Sequence, residues 1–327
     1  MFFKKDPTID PDNEHRDWLL VAQIADNALN EQRKARRWGI FFKTLTFTYL
    51  FVLLIAFVVG AQKTTLAPGT SSSHTAVVKV NGVIAADEQS NANAIVGGLR
   101  RAFANENAKA VMLAINSPGG SPVQSGYVYD EIVRLREQYP DKKLYAVISD
   151  LGASGGYYMA AAADEIYADK ASLVGSIGVT ASGFGFVDIM EKIGVERRHF
   201  TAGEHKAFLD PFSPVKADEK QFWKQVLANT HQQFIDVVKR GRGDRLKETD
   251  DMFSGLIWNG EQALELGLID GLGSAGFVAR DIIGASDLVD YSFKPSPLDE
   301  LTRKFGIAVG SGIAQMIGID RQPIELH

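Results

Sequence analysis

Short apolar runs alternate with amphipathic stretches through the middle of the chain. The runs 76-AVVKVNGVIA-85, 109-KAVMLAIN-116, 143-KLYAVIS-149 and 165-EIYAD-169 predict β-strands. Between them, 91-NANAIVGGLRRAFA-104, 123-VQSGYVYDEIVRLREQ-138 and 154-SGGYYMAAAA-163 carry helical spacing. Strand, helix, strand, helix implies right-handed crossovers and a mostly parallel sheet, so the fold class is α/β. Further helices are expected at 218–241, 260–267 and 274–284, and a short strand at 197-RRHF-200. No repeat recurs at a fixed period. The tail 298-LDELTRKFGIAVGSGIAQMIG-318 is apolar and glycine-rich, suited to packing on the domain or resting on a membrane surface.

The N-terminal part follows another pattern. Residues 44-TLTFTYLFVLLIAFVVGA-61 hold no charge, and these 18 positions make about 27 Å of helix, close to the hydrocarbon thickness of a bilayer. The run is too long and starts too far into the chain for a cleaved signal peptide. Ahead of it, 17-DWLLVAQIADNALNEQRKARRW-38 places Leu19, Leu20, Ile24 and Leu29 at roughly helical spacing and ends in cations. The cationic 33-RKARRWGIFFK-43 on that side, against Lys63 alone beyond the span, puts the N-terminus in the cytoplasm and all that follows Ala61 outside. Residues 62-QKTTLAPGTSSSHT-75 have linker composition. The expected organisation is a cytoplasmic segment 1–43, a transmembrane helix 44–61, a linker 62–75, a main domain 76–285 and a tail 286–327.

Composition narrows the chemistry. The absence of cysteine excludes disulfides, thiolate catalysis and cysteine-ligated zinc. A net charge of −5 gives no reason to expect nucleic acid as a partner. Two glycine features then stand at strand ends, where open parallel sheets bind ligands. One is 115-INSPGGSP-122, a turn whose backbone N–H groups can approach a ligand closely, or an ordinary Pro-Gly turn. The other is 151-LGASGGYYMAAAADEIYAD-169, which sets Ser154 at the start of a helix. There Ser154 is either an N-cap or an exposed nucleophile, with Gly155 and Gly156 leaving the approach clear for a substrate. Ser182 in 180-TASGFG-185 ranks below it.

A serine hydroxyl needs a base. Of the six histidines, His15, His74 and His327 lie outside the domain or at its margin, and His231 falls in an amphipathic helix where a surface role is the default. The stretch 200-FTAGEHKAFLDPF-212 offers His205 and Lys206. A lysine serves as base when burial lowers its pKa from ~10.4 toward ~7–8, which calls for apolar cover such as Phe208 and Phe212.

The set 116-NSPGG-120, 153-ASGGYYMA-160, 174-VGSIGV-179 and 203-GEHKAFLDPF-212 resembles the signal peptide peptidase A family of membrane-bound serine proteases, over roughly residues 75–285. The resemblance implies a Clp protease/crotonase-like β-α-β superhelical domain preceded by one transmembrane helix. It implies Ser154 as nucleophile, Lys206 as base, and oxyanion donors from Gly119 or Gly120 together with Gly155. Ser176 is expected to shape the site floor. The resemblance further implies a homo-oligomeric ring or dome, no cofactor or metal, and extended apolar peptides as substrates, such as cleaved signal peptides or membrane-protein fragments. The matching location is the bacterial inner membrane, with the catalytic domain periplasmic. The chain resembles the short type, which holds serine and lysine in one domain. The rival readings are a crotonase-like acyl-CoA enzyme and a non-catalytic scaffold of the same fold.

Overall fold

The computed structural model describes residues 11–63 and 72–293. The chain divides into two units, one that holds the described N-terminal residues and one from Ala67 to Lys294. In the first, a single helix α1 runs Pro11–Lys63, 53 residues and about 80 Å. The expected cytoplasmic helix and the expected span are therefore one continuous element. Within it, Ile24–Ile55 is long and apolar enough to cross a membrane. Its apolar side chains, Phe47 and Leu54 among them, are exposed.

The second unit is built on an eight-stranded sheet. The chain forms β1 (His74–Asn81), α2 (Ala92–Ala104), β2 (Ala108–Ser117), α3 (Pro122–Gln138), β3 (Leu144–Ala153), α4 (Gly155–Ala160), β4 (Glu165–Ala168) and β5 (Leu173–Gly175). Next come α5 (Val187–Lys192), α6 (Ala217–Arg242), β6 (Ile257–Asn259), α7 (Gly260–Glu265), β7 (Gly271–Leu272) and β8 (Leu288–Asp290). The path β6-β5-β3-β2-β1-β8 is parallel except at β5–β6. β3 pairs with β4 along Tyr145–Ile148 and with β5 along Leu151–Ala153, so one long strand serves two successive neighbours.

The apolar strand runs have a simple cause: the central strands are covered on both faces. Val111, Leu113 and Ile115 of β2 point into the larger core with Leu99, Phe103 and Ile132. Ala110 and Met112 point the other way, against Tyr145, Val278 and Ile283. Asn91 caps α2 through the Ala94 N–H, and Ser121 caps α3, which starts on Pro122. Arg242, fully buried at the end of α6, grips Asp270 with both guanidinium arms at 2.7 and 2.9 Å and donates to the Gly267 carbonyl at 2.8 Å. This fork fixes α6 to the loop that leads into β7.

Three expectations need correction. Residues 197–200 form no strand; Arg197 instead pairs with Asp210, and Arg198 with Glu196. The sheet begins at His74 and reaches β8, which pairs with β1, so the boundaries at 76 and 285 cut into it. Residues 275–283 form a short helical turn continued by a π-helical stretch rather than one regular α-helix. The expected tail at 298–318 lies outside the described residues.

Candidate active site

Three parallel strands end side by side. Ser117, the last residue of β2, lies across from Gly152 of β3, while Gly152 and Ala153 lie across from Val174 and Gly175 of β5. The turn after β2, Ser154 after β3 and the segment after β5 therefore converge at the carboxyl ends of the strands.

Ser154 has φ 50° and ψ −120°, a backbone region that L-residues avoid. Holding it there costs roughly 1–3 kcal/mol. Its N–H donates to the Gly175 carbonyl at 2.8 Å, and its side chain makes no capping hydrogen bond. The hydroxyl is thus left free of the N-cap role that its position suggested. The described residues include two other non-glycine positive-φ positions, Ser176 and Leu209. Ser176 lines a cavity with Ser154, and Leu209 ends the turn that carries Lys206.

The turn after β2 presses directly on the serine. A Cβ on Gly119 (φ 97°) would meet Ser154 Cβ at 2.6 Å, and one on Gly120 (φ 152°) would meet the Ile84 carbonyl at 2.1 Å. The Gly119 N–H donates to Ser117 Oγ at 3.0 Å, and Ser117 Oγ in turn donates to the Gly82 carbonyl at 2.6 Å. Among the described residues, the N–H groups of Gly120 and Gly155 have no acceptor. Gly155 and Gly156 are both buried, against Ser125 and Ser117. Close packing therefore explains Gly156, where substrate access was expected.

Ser154 borders two cavities. One, about 340 Å³, runs between α3 and α6 past Val123, Tyr127, Tyr158 and Phe234. The other, about 580 Å³, is lined by Ser176, Thr180, Ser254 and His231. Pattern reading passed over His231. Its Nε2 lies 3.0 Å from the Ile177 carbonyl, tying α6 to the segment after β5. Its neighbours Thr230 and Phe234 line the companion cavity, which no pattern along the helix reveals.

Lys206 is elsewhere. It sits in an exposed turn closed by its own N–H donating to the Gly203 carbonyl at 3.2 Å, and it lines neither cavity. Phe208 packs on Phe222 and Trp223; Phe212 stacks on Phe186 beneath the Arg197 guanidinium. His205 lies 3.4 Å from Glu219. The structure thus gathers Ser154, Gly119, Gly120 and Gly155, while Lys206 lines neither cavity beside the serine. Among the described residues no cluster of three His, Asp or Glu side chains is arranged to hold a metal.

The profile of Peptidase family S49 matches residues 136–282, which include Ser154 and Lys206. The chain is similar to a putative protease of Methanocaldococcus jannaschii, 30% identical over 65% of this chain and 70% of that protein. It is also similar to a putative signal peptide peptidase SppA of Enterococcus faecium, 30% identical over 64% of this chain and 62% of that one. A Brucella abortus protein named Na(+)/H(+) antiporter NhaA is 46% identical over 66% of this chain, which spans only 29% of that protein's length.

Proposed function

Because the chain belongs to peptidase family S49, we propose that it is a serine endopeptidase with Ser154 as nucleophile and Lys206 as general base. The observation that carries the first half is the set of Ser154 features: strained backbone, a side chain free of capping, and two N–H groups without described acceptors beside it. Ser154 Oγ attacks the scissile carbonyl carbon while the neutral Lys206 amine accepts the hydroxyl proton. The tetrahedral oxyanion takes hydrogen bonds from Gly120 and Gly155, and such preorganised donors are usually a large catalytic contribution. The Gly119 N–H is already engaged by Ser117 Oγ, so Gly119 shapes the turn instead of donating. Lys206 then protonates the leaving amine, and water hydrolyses the acyl-enzyme with Lys206 again as base.

The family resemblance supports Lys206, whose turn is exposed in the single chain. In this reading, assembly of several copies brings a Lys206 to each Ser154. The helix α1 anchors the protein in the bacterial inner membrane, N-terminus in the cytoplasm and protease domain in the periplasm, in keeping with the cations at 33–43. Extended apolar peptides released at that membrane, cleaved signal peptides and membrane-protein fragments, fit as substrates. The test is hydrolysis of quenched peptides by the full chain in detergent. Activity lost in Ser154→Ala and in Lys206→Ala supports the dyad; activity kept in Ser154→Ala removes it. An alkaline phosphatase fused after residue 75 should be active if the domain is exported; a reporter active only in the cytoplasm would reverse the topology.

A further inference from the structure

We propose that the cavity between α3 and α6 receives the substrate side chain on the acyl side of the scissile bond, and that Asp130 at its far end selects lysine or arginine there. This rests on Ser154 being the nucleophile.

The cavity opens on Ser154 and Gly155. Its walls are mostly apolar or aromatic, from Val123, Tyr127, Val179, Tyr158 and Phe234, with Thr230 and Gln233 of α6 adding neutral polar groups; the Tyr158 and Phe234 rings lie 5.0 Å apart. Among the described residues lining it, Asp130 bears the one formal charge. Asp130 is exposed, with no hydrogen-bond or ion-pair partner among the described residues. Val123, Tyr127 and Asp130 follow one face of α3, so Asp130 stands two turns, about 10 Å, beyond the end of the helix beside the serine. An extended lysine or arginine side chain reaches roughly 6–7 Å from its Cα, and the ~3 Å of a hydrogen bond to the Asp130 carboxylate covers the rest. Its methylene stem lies along the apolar wall while its head meets a carboxylate and two tyrosine faces at the water edge. Burial first, then the nearby Asp130 charge, holds the Tyr158 phenol above its ordinary value, against a smaller opposing effect of Arg240. A purely apolar residue would fill the same walls and leave Asp130 with water alone. The preference also suits the substrates proposed above, because apolar membrane segments are commonly bordered by lysine and arginine.

The test uses the full chain in detergent and peptides identical except at the acyl-side residue, which is lysine, norleucine or glutamate. The quantity read is the ratio of kcat/KM for lysine over norleucine. Wild type is expected to favour lysine by about fivefold, the scale of a partly exposed ion pair. Asp130→Asn should bring the ratio near one, and Asp130→Lys should favour glutamate over lysine. Asp236→Asn removes a carboxylate from α6 outside the cavity and should leave the ratio as in wild type. Ser154-dependent cleavage with no lysine preference, or a preference that survives Asp130→Asn, overturns the Asp130 assignment and leaves the protease reading standing. No Ser154-dependent cleavage of any peptide overturns the protease reading and this selectivity together.

Discussion

Around Ser154 most neighbours are buried. Ser117, Gly119, Ala153, Gly155, Gly156 and Tyr157 are all closed off from water, and each is held by strand pairing, helix packing or a named hydrogen bond. From Thr180 to Asp218 no residue is buried. α5 buries none of its side chains, and Phe184, Ile193, Phe200 and Val215 are exposed, Phe200 to 90%. One region is specified by the chain folding on itself. The other leaves several large apolar side chains bare, and it carries Lys206. Ser154, the proposed nucleophile, is thus placed by the sheet, and Lys206, the proposed base, rides on an exposed segment.

Breaking each region should have different consequences. In the exposed region, Lys206→Arg should lower kcat by roughly a thousandfold or more, because guanidinium stays protonated. Its unfolding free energy in urea should stay within about 0.5 kcal/mol of wild type. A matching loss of stability would mean that the turn is structural. In the folded region, Arg242→Ala removes the two-armed grip on Asp270, which keeps only Arg245 at 3.1 Å and the Ile166 N–H, and should cost about 3 kcal/mol in equilibrium unfolding. A loss below ~1 kcal/mol would show that the fork is dispensable.

Two smaller effects sharpen the contrast. Replacing Phe186 and Phe212 with serine should shift the protein toward monomer in light scattering and reduce activity in proportion. An active monomer would remove assembly from the mechanism. Asp270 should also shape acid stability. Burial alone would raise its carboxyl, but the Arg242 fork and the Ile166 N–H hold it below its ordinary 3.8. Its contribution is therefore fully present above about pH 4 and fades as pH falls through the lower folded value. Acid titration of stability should lose part of its slope in Asp270→Asn; an unchanged slope would assign the acid sensitivity to other carboxylates.

The strands legible in the sequence were those with continuous apolar runs, because both faces of the central sheet are covered. β5, β6, β7 and β8 are two or three residues long and show no alternation, so only pairing partners reveal them. The strand expected at 197–200 had suitable residues but no partner strand to bond with. At the site, S-P-G-G and A-S-G-G were readable because glycine and serine at a strand end restrict the chemistry. The engagement of the Gly119 N–H by Ser117 Oγ was not, since it depends on turn geometry. His231 was hidden by its amphipathic helix, whose pattern says which face is apolar but not which face meets a cavity.

The pairing of Ser154 with Lys206 is tested most directly by steady-state peptide hydrolysis of Lys206→Ala, His205→Ala and His231→Ala in the full chain. Lys206→Ala should be lower by roughly a thousandfold or more. His205→Ala should stay near wild type, and His231→Ala should lose less than the lysine variant. Near-wild-type turnover in Lys206→Ala, with His231→Ala or His205→Ala dead, would contradict the dyad and make a histidine the base.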